Sequence, residues 1–397
     1  MTVPAGGDSA QPAKAKYRAR EVIFAVVMGA VCVGLWFKPT GFEEERSAET
    51  EAVRASARVL EVDNSGVSQY GVIRQGDQEC RLRILDGPFE GREVTTSNML
   101  LGDLQLDTFF QEDDRALVVL NLSDGELDWV HMAGPYRLGV ELALCGLFAA
   151  LLVVVMGWAG LRALVSFAFA ALMLWKVLVP AFLRQEQDPV LVALGVVALI
   201  TGAIMFLVAG LNRKGLVAFL GGLLGLGLTC VLALAFADPF HVHGAVRPFA
   251  KVLVQRFPEI DVTRVFLAGI FLASSGAVMD LAMDISAAMH ELAEKRPDLG
   301  RWDLMRSGLR VGRVVIGTMT TTLLLAYSGG FVTTLMWFQV QGVPLDVAFN
   351  SNFMAPEVLH TLVGSFGLVT VAPFTALVGG LVYTHGQGRP AEQAAVA

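Results

Sequence analysis

Between Leu138 and Tyr383 the chain runs through seven apolar segments of bilayer length: Leu138–Trp158, Ala163–Leu183, Val190–Leu211, Gly215–Phe236, Val265–Ala288, Val314–Phe338 and Pro356–Tyr383. A hydrocarbon core takes roughly 20 apolar residues per helix, because only a helix satisfies its own backbone groups there. With the apolar run Val22–Phe37, which has basic residues before it and no small-residue cleavage site after it, eight transmembrane helices are expected. The composition agrees: 54% of residues are hydrophobic and 17% charged, against about 25% charged in soluble proteins.

The first and second spans are separated by residues 42–133, which hold 8 Arg, no Lys and 20 Asp or Glu, a formal charge of −12. Short alternating stretches (Ala57–Val62, Tyr70–Arg74, Arg81–Leu85, Ala116–Leu122) lie between turn signals such as Asn64-Ser65-Gly66 and Asp86-Gly87-Pro88. The pattern predicts a small all-β domain, OB-like or a sandwich. In LDGPFEGREVTTSN, Leu85 to Asn98, the two glycines are placed for tight turns. The fold class is therefore an α-helical integral membrane protein with an extracytoplasmic β domain inserted after its first helix. The acidic balance argues against nucleic acid as a partner. Cys32, Cys80, Cys145 and Cys230 are too scattered for a disulfide framework or a zinc motif.

The expected organisation is a disordered cytoplasmic tail at 1–20, a first span at 21–38, the β domain at 42–133, seven helices over 137–385 and a tail at 386–397. Lys and Arg near the span ends set orientation. The basic tail, Arg213-Lys214 and the set from Lys295 to Arg313 fall on one side, so both termini are expected inside and the β domain outside. Arg247, Lys251 and Arg256 dissent, and an amphipathic helix at the outer interface is expected at 245–257.

Ionisable residues inside spans are the candidate functional groups, since an acid at the helix centre costs about 2.5–3.5 kcal/mol to insert. Asp280 and Asp284 lie one turn apart on a face of small residues, Ala273, Gly276 and Ala277. Arg306, Arg310 and Arg313 enter the next span at helical spacing, followed by Gly317, Thr320 and Thr321, and Arg310 and Arg313 are at the depth to pair with the two aspartates. Ser274-Ser275-Gly276 offers a break whose carbonyls could coordinate a solute, with Ser275 in the pathway. In the last span Glu357 and His360 are i, i+3 neighbours able to exchange a proton. Asn350 and Asn352 precede that helix where they can cap it or coordinate, and Pro373 predicts a kink or break. Asp238, His241 and His243 form a weaker three-residue metal set, set against plain loop polarity. Gly221 and Gly225 read as a helix-packing pair. Each site has a bland reading alongside: a static ion pair for Asp280, Asp284 and the arginines, and an interfacial ion pair for Glu357.

SSGAVMDLAMDISAAMHEL, LMRSGLRVGRVVIGTMTTTLLLAYSGG and APEVLHTLVGSFGLVTVAPFTALVGG resemble the YibE/F-like family of bacterial multi-pass membrane proteins over about Arg264 to Tyr383. The resemblance implies a bacterial cytoplasmic (inner) membrane location and carries over no substrate, cofactor or functional residue.

These readings lead to a non-enzymatic permease without a cofactor. It would be an ion- or proton-coupled secondary transporter, or a channel, for a small solute or ion, with its pathway among the last three helices. The alternative is a non-transporting scaffold or assembly factor whose acidic outer domain binds an extracytoplasmic partner. Homo-oligomerisation stays open. An intramembrane aspartyl protease is disfavoured because both aspartates lie on one helix.

Overall fold

The computed structural model describes residues 11–41, 52–123 and 125–384, with side chains from Ala19 onward. The chain divides into two compact units, Pro39–Val154 and the remainder.

The first unit holds strands β1 (Ala52–Asp63), β2 (Val67–Tyr70), β3 (Ile73–Ile84), β4 (Glu93–Leu101), β5 (Arg115–Ser123) and β6 (Glu126–Pro135), followed by helix α2 (Leu138–Met156). The sheet order is β2-β3-β1-β5-β6, with β4 on the other side of β3. β4 curls back toward β6, where the Thr96 hydroxyl donates to the Val130 carbonyl at 2.6 Å, making a half-barrel. Alternation places Cys80, Leu82 and Ile84 of β3 inside, level with Ala57 and Val59 of β1 and Ala116, Val118 and Leu120 of β5. Outward positions pair charges across strands, Arg81 with Glu61 at 3.0 Å and Arg83 with Glu93 at 2.6 Å. Burial pushes the Cys80 thiol up to about 11. Gly87 and Gly91 both sit at φ 84°, the left-handed turn geometry expected of LDGPFEGRE.

The second unit is helical. Its elements are α1 (Gln11–Phe37), α3 (Trp158–Met173), a π-helical stretch Leu174–Leu178, α4 (Val179–Arg184), α5 (Pro189–Ala209), α6 (Arg213–Ala237), α7 (Ala250–Arg256), α8 (Val262–Lys295), α9 (Arg301–Ser328), α10 (Val332–Val340), α11 (Leu345–Phe349) and α12 (Met354–Thr384). Among the described residues eight helical segments are long and apolar enough to cross a membrane, in the order expected. Side-chain caps fix three starts: Asp188 accepts from the amides of Val190 and Leu191, Asn212 from that of Gly215, and Asp261 from those of Thr263 and Arg264. Arg264 also forms an ion pair with Asp188, tying the start of α8 to that of α5.

The centre is α6, α8 and α12, packed on one another, with α5 and α9 against their outer sides. Small residues let α6 and α12 approach closely. A Cβ on Gly221 would lie 2.7 Å from the Thr375 Cα, one on Gly225 3.0 Å from the Val371 Cβ, and one on Gly367 2.0 Å from the Thr229 hydroxyl oxygen. Gly221 and Gly225 thus pack helices, as expected.

Several local expectations are corrected. Helix α1 begins at Gln11, not Glu21, because the Ala, Lys and Arg residues there are strong helix formers and Pro12 falls in the first turn; residues 1–10 and 385–397 of the expected tails lie outside the described residues. The single helix at 245–257 is a 3-10 turn, Gly244–Val246, then α7 from Ala250, because Pro248 bars Arg247 from helical geometry and Phe249 stands at φ 61°. Neither Ser274-Ser275-Gly276 nor Pro373 breaks its helix. The two serine hydroxyls donate to carbonyls one turn back, Phe271 at 3.2 Å and Leu272 at 2.7 Å, and no backbone bond is opened.

Candidate functional site

Where the α6–α8 connection meets the start of α12, five side chains from four elements converge. Arg247 extends from the segment before α7 and forms an ion pair with Glu357, nitrogen to carboxylate oxygen 2.7 Å. Its guanidinium also lies 5.1 Å from the centre of the Phe266 ring. One turn along α12, the His360 ring stacks on Tyr327 of α9, centroids 4.3 Å apart and planes 33° to each other. Beside them a cavity of about 530 Å³ is walled by Phe249, Leu253, Val265, Phe266 and Ile270, with Arg247 and His360 its charged or titratable members.

His360 Nε2 and the Tyr327 hydroxyl are both buried without a hydrogen-bond partner. So are the hydroxyls of Thr361 and Thr375 on α12 and of Thr201 on α5. Thr375 and Thr201 flank Gly221 and Gly222 of α6. Farther along, the Tyr383 hydroxyl bonds Ser286 of α8 at 2.9 Å, and the Ser286 hydroxyl donates to the Lys214 carbonyl at 2.7 Å. From His360 to Tyr383 is roughly 35 Å of helix at 1.5 Å per residue, about the thickness of a bilayer core. Polar groups therefore recur along the α12 interface from one end of the bundle to the other. Each buried unsatisfied polar atom costs about 1–3 kcal/mol, so several within one helical bundle call for an explanation.

The other expected residues are placed differently. Asp280 and Asp284 lie on an exposed face of α8, and Arg310 and Arg313 on an exposed face of α9; among the described residues none of the four makes an ion pair. Gly312 abuts Ile285, which sets Arg313 level with Asp284, but the two rows point in different directions and the expected pairing is absent among the described residues. Thr320 spends its hydroxyl on the Ile316 carbonyl at 2.8 Å, and Thr321 is exposed. Ser351, not Asn350 or Asn352, caps α12, accepting from the Met354 amide at 3.2 Å. Asn350 and Asn352 instead line a polar cavity of about 400 Å³ with His241 and His243. Asp238 contributes its backbone carbonyl to His241 Nδ1 at 2.8 Å, and no three metal-ligating side chains come together among the described residues, so the Asp238, His241, His243 set is not a metal site.

Tyr327, Thr201 and Thr375 were missed because a lone hydroxyl in an apolar run carries no periodic signal; burial alone distinguishes them. Arg247 was noticed only as a breach of the charge-orientation pattern.

Among the described residues eight helices are long and apolar enough to cross a membrane, the pattern of a multi-pass membrane protein. Residues 144–385, more than half of the chain, match the family model of the YibE/F-like proteins, and the chain belongs to that family. Comparison with curated proteins and with solved structures gives no match.

Proposed function

We propose that the protein is a permease of the bacterial cytoplasmic membrane, a proton- or ion-coupled transporter or channel for a small solute or ion. The carrying observation is the set of unpartnered polar atoms on His360, Tyr327, Thr361, Thr375 and Thr201 within a packed apolar bundle. Charge and hydroxyls inside membrane proteins are retained where they serve a pathway. The bundle end bearing Arg247, Glu357 and His360 is the outer mouth, by the positive-inside reading that puts both termini in the cytoplasm and the β domain outside. There the Arg247–Glu357 pair closes the entrance, and His360, with an open nitrogen, accepts and passes a proton toward the hydroxyls below. Protonation of Glu357 or His360 would loosen the closure and bias the bundle between two openings.

The test uses the full chain in liposomes loaded with a pH-reporting dye under an imposed proton gradient. Wild type should dissipate the gradient; His360→Gln and Tyr327→Phe should lose most of that flux while eluting as folded protein. Wild-type liposomes no leakier than empty ones would overturn proton coupling.

A second reading, a scaffold that binds through the β domain, is favoured by one observation. Tyr70, Val72, Met99, Leu101, Leu104 and Leu106 are all exposed at the end of the half-barrel where β3 begins and β4 ends. Loss of a stoichiometric partner from Val72→Asp with unchanged flux would support it.

A further inference from the structure

One face of α8 has no neighbour among the described residues of its own unit. Ala273, Gly276, Asp280 and Asp284 are exposed along it, and nothing lies within 4 Å of where a Cβ on Gly269 or Gly276 would stand. The two aspartates sit within an apolar span and, among the described residues, make no ion pair. A second unpartnered row runs along α9: Arg306, Arg310, Arg313 and Gly317, the last again with open space around it.

The levels of the two rows are fixed by packing. Gly308 abuts Met289, and Gly312 abuts Ile285. The helices are antiparallel, so Arg313 is level with Asp284 and Gly317 with Asp280. Within one copy the rows face different ways and cannot meet. Rotation about an axis normal to a bilayer keeps every level unchanged, so the arginine row of one copy meets the aspartate row of another at matched depth. The glycines allow close approach, and an arginine spans the roughly 5.4 Å of one helical turn, which lets Arg310 and Arg313 serve both carboxylates.

We propose that the protein assembles with itself through these rows, α9 of one copy lying along α8 of the next, with Arg310 and Arg313 against Asp284 and Asp280. The contact is heterologous, since different surfaces meet, so it continues from copy to copy and makes a ring where the rotation closes. The occupant is a second copy because the complementary charge, at the right level, is carried by this same chain.

The test uses the full chain in membranes, with its native cysteines replaced. Asp284→Cys combined with Arg313→Cys should crosslink under mild oxidation into dimers and larger species, while each single variant stays monomeric on a non-reducing gel. Leu144→Cys, on an exposed face of α2, is the control. Charge reversal supplies an arm independent of thiol geometry: Asp284→Arg and Arg313→Asp should each raise the dissociation constant in lipid nanodiscs by roughly tenfold or more, and the double reversal should restore it. A monodisperse single copy for wild type, or crosslinks from Asp284→Cys to another membrane protein and never to its own kind, would overturn the proposal. So would single reversals that leave assembly unchanged.

Discussion

The ring of Tyr327 stacks at 4.3 Å on that of His360, and neither the phenol hydroxyl nor the imidazole Nε2 has a hydrogen-bond partner. A stacked pair buried for packing alone is served as well by phenylalanine. Tyr327→Phe should therefore leave stability within about 1 kcal/mol of wild type, or raise it slightly, since it removes an unsatisfied hydroxyl. Proton flux should fall at least several-fold. Thermal unfolding and dye-reported flux on one preparation separate the two effects.

Arg247 and Glu357 form an ion pair whose partners differ in exposure, 42% for the arginine side chain and 14% for the glutamate. Arg247→Ala leaves a mostly buried carboxylate without its partly solvated cation and should cost about 1–2 kcal/mol; Glu357→Gln should cost less and hold the entrance open. Leak in the absence of a gradient-coupled solute should rise for Glu357→Gln. An unchanged leak would separate this pair from gating.

Gly221→Ala drives a methyl group to 2.7 Å from the Thr375 Cα, an atom that cannot rotate away. The α6–α12 contact should be weakened by about 1–3 kcal/mol. Gly227→Ala, with nothing within 4 Å, should be neutral or stabilising. Detergent-solubilised melting curves of the two variants provide the comparison.

Asp188 caps α5 and pairs with Arg264. Burial pushes its carboxyl up, but the Arg264 guanidinium and the Val190 and Leu191 amides together outweigh it and hold the group below its ordinary 3.8. Its stabilisation is therefore present above about pH 4 and fades as pH falls through the depressed value. Because the pair is partly solvated, the loss in Asp188→Ala is set mainly by the cap, about 1 kcal/mol. The wild-type and variant stabilities should converge as pH falls through that depressed value.

Cys80 lies at 0% exposure, with its thiol held at about 11, so almost no thiolate forms at neutral pH. Maleimide should leave it unlabelled at pH 7.5 until the β domain unfolds. Labelling of the folded protein by mass spectrometry would show that the half-barrel opens.

The spans were legible because a bilayer imposes one length and one composition on any helix that crosses it. The half-barrel was legible through period-two alternation and glycine turns such as Gly87 and Gly91. Which way an acid faces was not, since Asp280 and Asp284 occupy a stripe defined only relative to its own helix. The neighbours around α8 are set by contacts such as Gly222 with Ala282 and Gly312 with Ile285, far apart in sequence. Glu357 and His360 were readable as a local pair, whereas Arg247 reaches them from a segment about a hundred residues away, across the fold. Thr375 and Thr201 matter only because packing strips them of partners.

The central claim, that water or protons reach the hydroxyls buried along α12, is tested most directly by Thr375→Cys in an otherwise cysteine-free chain in liposomes, exposed to a small charged methanethiosulfonate. Thr375 is wholly enclosed. The account predicts modification from at least one side of the membrane, slowed when the proton gradient is removed and accompanied by loss of flux. A thiol that stays unmodified from both sides at every gradient, while Ser351→Cys at the helix mouth reacts, would contradict it.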